Sequence, residues 1–336
     1  MATEKTTKAA ATKAAATKAA ATKAAAEKAA EKKAPAKKAP AKKAPAKQAA
    51  RKATATKSAR RAVVVAGVRT PFVRAFKEFM RMDAIALGVA AVGGLLERTQ
   101  LDRRELDSVV WGGVGLPGMA PNVGREIVLD LRLPHSVEAY TVTRACATGL
   151  QSVTNAVAAI ERGDADVVIA GGGDSTSNAE LKLPQKVVHA LAPIAFSKGA
   201  SMADYLGVIS QLMPISEILP RQPKIAERTT GQVMGEAAEE MARRNSIARS
   251  DQDAFAVASH HKAARAIASG RFDDEVISVT TPDGKTVYSD TIVRGDTSVE
   301  KLAKLRPVFA KDGTLTAGNS SALTDGAAAV LLMSEE

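Results

Sequence analysis

The feature that most limits what this chain can fold into is a break in composition after residue 61. Residues 1–61 carry 18 Lys and Arg against three Glu and offer almost nothing to bury. Lys8, Lys13, Lys18, Lys23 and Lys28 recur every five residues in an Ala-Thr background. At about 100° per residue, that step carries the charge round a helix and leaves no apolar stripe. The repeat KKAPA follows, and Pro35, Pro40 and Pro45 exclude a continuous helix and favour extended chain. The expectation is a disordered tail over 1–61, with transient helix in its Ala-rich part. Residues 62–336 hold the rest, 29 basic and 33 acidic side chains, a net of −4, so the formal charge of +11 belongs to the tail. These 275 residues suffice for one large domain or two modest ones.

Within them, strands and helices alternate. Ala62–Ala66 (AVVVA) reads as a buried strand and Asp83–Arg98 as a helix with a broad apolar face. Ser108–Trp111 is a second strand running into a glycine-rich loop. A helical piece follows around Val123–Leu131, then a strand over Val137–Val142, a helix with Leu150, Val153, Val157 and Ile160 on one side, and a strand over Asp166–Ala170 that enters Gly171-Gly172-Gly173. This order implies an α/β fold with a parallel or mixed sheet. Residues from about 180 to 305 break the rhythm with Pro184, Pro193, Pro214, Pro220 and Pro223 and then polar helices at Thr230–Arg244 and Ser250–Ser269, as an insertion would. The pattern resumes at Ala327–Met333, after a polar, glycine-punctuated loop spanning Gly318–Gly326.

Cys146 is the only cysteine, and it sits where a β-rich stretch breaks into a helix. A thiol at a helix N-terminus faces unsatisfied backbone N–H groups and the positive end of the dipole, which favour the thiolate. The same N–H groups can hold a developing oxyanion. A lone cysteine is also often a small buried hydrophobe, so the spacing leaves both roles open.

Other features exclude functions. One cysteine forms no intramolecular disulfide framework and suits a reducing compartment. Gly113, Gly115 and Gly118 (GVGLPG) satisfy G-x-G-x-x-G, but Pro117 and Pro121 follow where a dinucleotide-binding helix should start, so a plain loop is the better reading. His135 and His189 fall in expected loops and His260-His261 on a polar helix, all read as surface residues; no metal site is expected. No apolar run approaches the ~18 residues of a membrane span. Residues 1–26 are nearly acid-free, as transit peptides are, yet lack their arginines and amphipathicity. The expected compartment is cytoplasmic, with organellar targeting left open.

Taken together, the motifs of residues 62–336 resemble the thiolase family. They are Val68-Arg69-Thr70-Pro71-Phe72, Arg144-Ala145-Cys146-Ala147-Thr148, Gly172-Gly173-Asp174-Ser175-Thr176-Ser177, Met234-Gly235-Glu236-Ala237-Ala238-Glu239, Leu305-Arg306-Pro307-Val308-Phe309 and Gly313 through Ser321, in that order. The ACAT form, with Ala120-Pro121-Asn122 and Arg125-Glu126-Ile127, is most similar to the thiolase subunit of fatty-acid β-oxidation complexes. The resemblance implies a thiolase N-terminal domain, a mixed sheet with helices on both faces, carrying an inserted loop domain over about 180–305. It implies acyl transfer between CoA thioesters, which are substrates, with no permanently bound cofactor. Cys146 would be the nucleophile that forms the acyl-thioester, Arg294 the adenine-side contact to coenzyme A, Ser321 a pantetheine contact and Met234 part of the acyl pocket. The family's other loop serine falls near Lys301. Implied partners are acyl-CoA and CoA, a homo-oligomer once the fold is completed, and a β-oxidation hydratase/dehydrogenase subunit.

The family's second half supplies an Asn-Glu-Ala-Phe segment, a Gly-His-Pro histidine and a Cys-Gly cysteine, and none occurs in these 336 residues. The expectation is a thiolase represented by its N-terminal half, the C-terminal thiolase domain being absent, with an incomplete catalytic cycle and an exposed apolar face prone to association. Two alternatives are a ketoacyl-synthase-like condensing enzyme, which shares the fold and an ACxTG setting, and a catalytically inactive half tethered by its tail. The tail itself is similar to the Lys-Ala-Pro tails of linker histones and bacterial histone-like proteins, which implies nonspecific binding to DNA or another polyanion. It has no aromatic residue to stack on bases.

Overall fold

Strand β1 (Ala62–Arg69) starts directly after the tail, and the computed structural model describes residues 60–336 except 181–182, 198, 200 and 213–225. The tail expected over 1–61 thus lies outside the described residues save for Arg60 and Arg61, which pair with Asp166 and Glu335 beside β1. The sheet is mixed, with the order β1-β8-β5-β3-β4. Strand β3 (Ser108–Gly112) runs parallel to both β4 (Glu138–Val142) and β5 (Val167–Ser175), while β8 (Thr324–Ser334) lies antiparallel between β5 and β1. The short β2 (Val73–Arg74) pairs with the start of β8.

Alternation along these strands divides the core in two. From β3, Val109 and Trp111 point into one cluster and Val110 into the other; β5 does the same with Ile169 and Val168, and β8 with Leu331 and Leu332. The larger cluster is closed by α1 (Ala84–Thr99) and α2 (Val123–Asp130), the smaller by Ala156 and Ile160 of α3 (Thr148–Arg162). Helix α1 begins at Asp83, whose carboxylate accepts the Ala86 N–H at 2.8 Å. Helices therefore cover both faces, as expected. The outer side of α3 presents Leu150, 72% exposed.

Two boundaries differ from expectation. The strand expected to end at Ala170 runs on through Gly171–Gly173 inside β5, where the sheet approaches too closely for a side chain: a Cβ at Gly171 would stand 2.5 Å from the Ala328 carbonyl and 2.5 Å from the Trp111 ring. Thr324, Asp325 and Gly326, read as loop, likewise belong to β8.

The segment after β5 carries α4 (Gln185–Ala195), α5 (Met202–Gln211), α6 (Met234–Arg244), α7 (Arg249–Ala268), the hairpin β6 (Val279–Thr280) and β7 (Thr286–Val287), and α8 (Val299–Ala303). His189 is on α4, not in a loop, and bonds Gln185 one turn earlier at 2.8 Å. The segment is fastened to the end of β1. The Arg69 N–H donates to Glu275 and its carbonyl accepts from Ile277, at 2.8 and 2.9 Å. The Arg69 guanidinium meets Asp290 through two bonds of 2.7 and 3.0 Å, and its plane lies 4.8 Å from Phe72 and 5.2 Å from Phe272.

Candidate active site

Cys146 lies on the turn between β4 and α3, two residues before the helix begins, and its side chain is exposed. The preceding residue, Ala145, is held at φ 46°, a left-handed conformation that costs a non-glycine residue about 1–2 kcal/mol. Thr148 stabilises it. The buried Thr148 hydroxyl donates to the Ala145 carbonyl at 2.6 Å and accepts the Arg144 N–H at 2.7 Å, closing the turn from both sides. The Thr148 methyl in turn fills the space above Gly112, where a Cβ would come within 2.8 Å of it. Ala147 caps α3 without a side-chain hydrogen bond, so the helix start is left to backbone N–H groups.

Cys146 opens on a cavity of about 790 Å³. Its floor is the α3-facing side of the sheet, from Gly112, Ala170–Asp174 and Ala328–Val330; Gly149 and Val153 of α3 form one wall, and Glu227 and Met234 reach it from the segment between β5 and β8. Met234 stands at the first position of α6, whose start is fixed by the Glu236 carboxylate accepting the Val233 N–H at 3.0 Å. Gly235 lets this helix sit on Phe309, since a Cβ there would be 2.2 Å from the ring.

The structure thus brings Cys146 and Met234 to one cavity, and Arg294 and Ser321 do not line it. Ser321 is exposed at the end of the 313–321 loop, next to Ser320, whose buried hydroxyl has no hydrogen-bond partner among the described residues. Arg294 is exposed on the turn before α8, and its guanidinium makes no hydrogen bond or ion pair among the described residues. Lys301, in α8, donates to the Asp296 carbonyl and carboxylate at 2.6 and 3.0 Å and so closes that turn.

Two acidic residues that sequence reasoning gave no role hold the 313–321 loop. Glu239 of α6 is buried and accepts the N–H groups of Thr314 and Leu315, at 2.8 and 2.6 Å, as well as the Thr314 hydroxyl at 3.1 Å. Burial pushes its pKa up, but those bonds outweigh it and hold the carboxyl below its usual range. Asp253 of α7 is buried against Arg249 at 2.7 Å and accepts Asn319 Nδ2 at 2.9 Å, while Asn319 Oδ1 accepts the Thr316 N–H at 2.7 Å. The signal available was the placing of both carboxylates in otherwise polar helices; their targets lie 75 and 66 residues away.

The GVGLPG loop is no phosphate cradle. The N–H groups of Val114 and Gly115 donate to Asp174 Oδ1 at 2.9 and 2.7 Å and that of Gly118 to Glu180 Oε1 at 2.6 Å, so carboxylates occupy the donors an anion would need. Among the described residues, no group of three or more His, Cys, Asp or Glu is arranged to hold a metal, and no helix is long and apolar enough to cross a membrane.

Comparison with known proteins adds the family. Residues 62–336 match the family described as "Thiolase, N-terminal domain". The 3-ketoacyl-CoA thiolase of Pseudoalteromonas translucida (strain TAC 125) is 41% identical over 277 residues, which are 82% of this chain and 63% of that protein. That of Vibrio cholerae serotype O1 is 41% identical over 281 residues, 83% of this chain and 64% of that protein. The chain therefore spans less than two thirds of the length of these relatives. The crystal structure of the Bacillus anthracis acetyl-CoA acetyltransferase superposes with a TM-score of 0.70 at 30% identity, covering 83% of this chain and 67% of that one. Human mitochondrial 3-ketoacyl-CoA thiolase in complex with CoA superposes with a TM-score of 0.68 at 29% identity, covering 82% and 65%. A family match across every strand of the sheet, joined to a shared three-dimensional fold, makes this chain a member of the thiolase family.

Proposed function

We propose that residues 62–336 are the nucleophile-bearing part of an acyl-CoA:acetyl-CoA C-acyltransferase, which cleaves 3-ketoacyl-CoA or runs the reverse Claisen condensation. One observation carries this: the exposed thiol of Cys146 stands on a strained turn at the head of α3 and opens on a cavity shared with Met234. The Cys146 sulfur attacks the keto carbon, the bond between that carbon and the α-carbon breaks, and the departing acetyl-CoA takes a proton at its α-carbon. The shortened acyl group stays on sulfur as a thioester until the thiol of a second CoA takes it, returning a proton to Cys146. In this reading backbone N–H groups at the start of α3 hold the oxyanion of the attack. In this reading Met234 lines the acyl pocket, Ser321 contacts pantetheine, and the unpartnered Arg294 guanidinium meets the nucleotide end of CoA, where it can pair with phosphate and stack on a base. CoA thioesters are substrates, and no permanently bound cofactor takes part.

The histidine and second cysteine that move protons in the family have no counterpart in these residues. Acylation of Cys146 is accordingly the half-reaction to test. Full turnover, homo-oligomerisation and contact with a hydratase/dehydrogenase partner in β-oxidation belong to a completed fold. Incubating the full chain with acetyl-CoA or acetoacetyl-CoA, followed by intact-mass and peptide analysis, should find one acyl group, on Cys146. An adduct that survives Cys146→Ala refutes the assignment.

A separate observation favours a second activity. Arg60 and Arg61 are engaged with Asp166 and Glu335, and residues 1–59 carry a further 16 Lys and Arg against three Glu. We infer that this tail binds double-stranded DNA without sequence preference. Neutralising about six phosphates gives a slope of about −5 in log K against log salt. Changing Lys32, Lys33, Lys37, Lys38, Lys42 and Lys43 to Gln in the full chain should flatten that slope. An unchanged slope, or equal binding by the variant, refutes it.

A further inference from the structure

The turn that carries Arg294 is fastened to α7 by two adjacent histidines whose bonds make opposite demands on a proton. The Arg294 N–H donates to Nδ1 of His260 at 3.2 Å, so that nitrogen must be unprotonated. His261 Nε2 meets the Thr297 carbonyl at 3.0 Å; a carbonyl only accepts, so this nitrogen carries its proton whether the ring is neutral or charged. Between the two anchors the turn lies directly on the helix, with the Cβ position of Gly295 only 3.1 Å from the Ala264 methyl. Thr297 is buried, and its N–H closes the turn on the Arg294 carbonyl at 3.4 Å.

We propose that His260 is a positioning residue for Arg294 and makes its contact with the nucleotide end of CoA dependent on pH. With a neutral ring the Arg294 end of the turn is held; a proton on Nδ1 sets donor against donor and frees it, while the His261 anchor persists. This rests on the reading of Arg294 as a CoA contact. The groups around His260 favour the neutral ring at pH 7: burial, then the Arg294 charge, then His261, lower its pKa from the ordinary histidine value. Of the other charges near the turn, Asp296 is engaged by Lys301, and among the described residues no carboxylate bonds His260.

The test is calorimetric titration of the full chain with CoA from about pH 5 to about pH 8. His260→Asn supplies an amide oxygen near Nδ1 that accepts the same N–H and does not titrate. This variant should bind CoA as the unaltered chain does at neutral pH and then follow only the titration of the ligand's own phosphate, whereas the unaltered chain loses further affinity in acid. His260→Ala should bind about threefold to tenfold more weakly at every pH, the worth of one neutral hydrogen bond. The histidine's role is overturned if Arg294→Ala weakens binding while the unaltered and His260→Asn chains share one pH profile. Both the role and the reading beneath it are overturned if Arg294→Ala binds CoA normally, or if the unaltered chain does not bind it.

Discussion

Glu239 offers the most direct test of how the site is held. The residue is 5% exposed, and its carboxylate satisfies two half-buried backbone N–H groups and a hydroxyl on the loop that ends at Ser321. Hydrogen bonds to a charged group contribute about 1.5–3 kcal/mol each, and a buried donor left unpaired costs about 1–3 kcal/mol. Glu239→Ala strands both N–H groups and should cost about 3–5 kcal/mol. Glu239→Gln keeps one oxygen in place and should cost about 1–2 kcal/mol. With an m-value of about 3 kcal/mol/M, the alanine variant should lower the urea midpoint by roughly 1–1.7 M. Hydrogen exchange should show the loss first at Thr314 and Leu315. The sign with pH is fixed because the folded pKa is lowered: the charge stabilises above the unfolded value of about 4.3, and the contribution is lost as pH falls through the lower folded value. The advantage of Glu over Gln should therefore shrink on acidification through that window. An alanine variant within about 0.5 kcal/mol of the unaltered protein, with both amides still protected, would refute the argument.

Three further substitutions probe the frame. Arg69→Ala leaves the Asp290 carboxylate, 11% exposed, with only the Phe72 N–H at 2.8 Å among the described residues, and should cost about 3–5 kcal/mol, read as a fall in Tm of about 10 °C; a change of a degree or two would show that water replaces the guanidinium. Gly171→Ala forces a methyl against the Trp111 ring and the Ala328 carbonyl, so expression of folded protein or its urea midpoint should fall by at least the cost of overpacking, about 1–3 kcal/mol, and an unchanged midpoint would mean that the strands can part. Asp83→Ala removes the cap of α1 and should cost about 1 kcal/mol in the same assay, with no loss if Ala86 N–H is equally well hydrated.

Local patterns carry only part of the site. The position of Cys146 at a strand-to-helix junction is readable because both flanks show their periods within a dozen residues. The strain at Ala145 and the Thr148 clamp are not, since nothing in RACAT dictates a left-handed backbone; the turn exists because β4 and α3 are fixed by packing on either side. His260 and His261 read as surface residues on a polar helix, yet each meets a backbone group more than thirty residues later, at Arg294 and Thr297.

The sequence by itself determined the division between a basic tail and a residue 62–336 body, the α/β class, and the one thiol available for nucleophilic chemistry. Those follow from charge, from hydrophobic period and from residue identity, which act over short stretches of chain. The tertiary structure decided that Gly171–Gly173 run inside a strand, that Asp174 and Glu180 consume the donors of the GVGLPG loop, and that Glu239 and Asp253 hold the loop before β8. Each of these depends on which polar group or ring meets a segment some 60 or more residues distant, and on the cost of leaving a buried donor unpaired, neither of which is written in a local pattern.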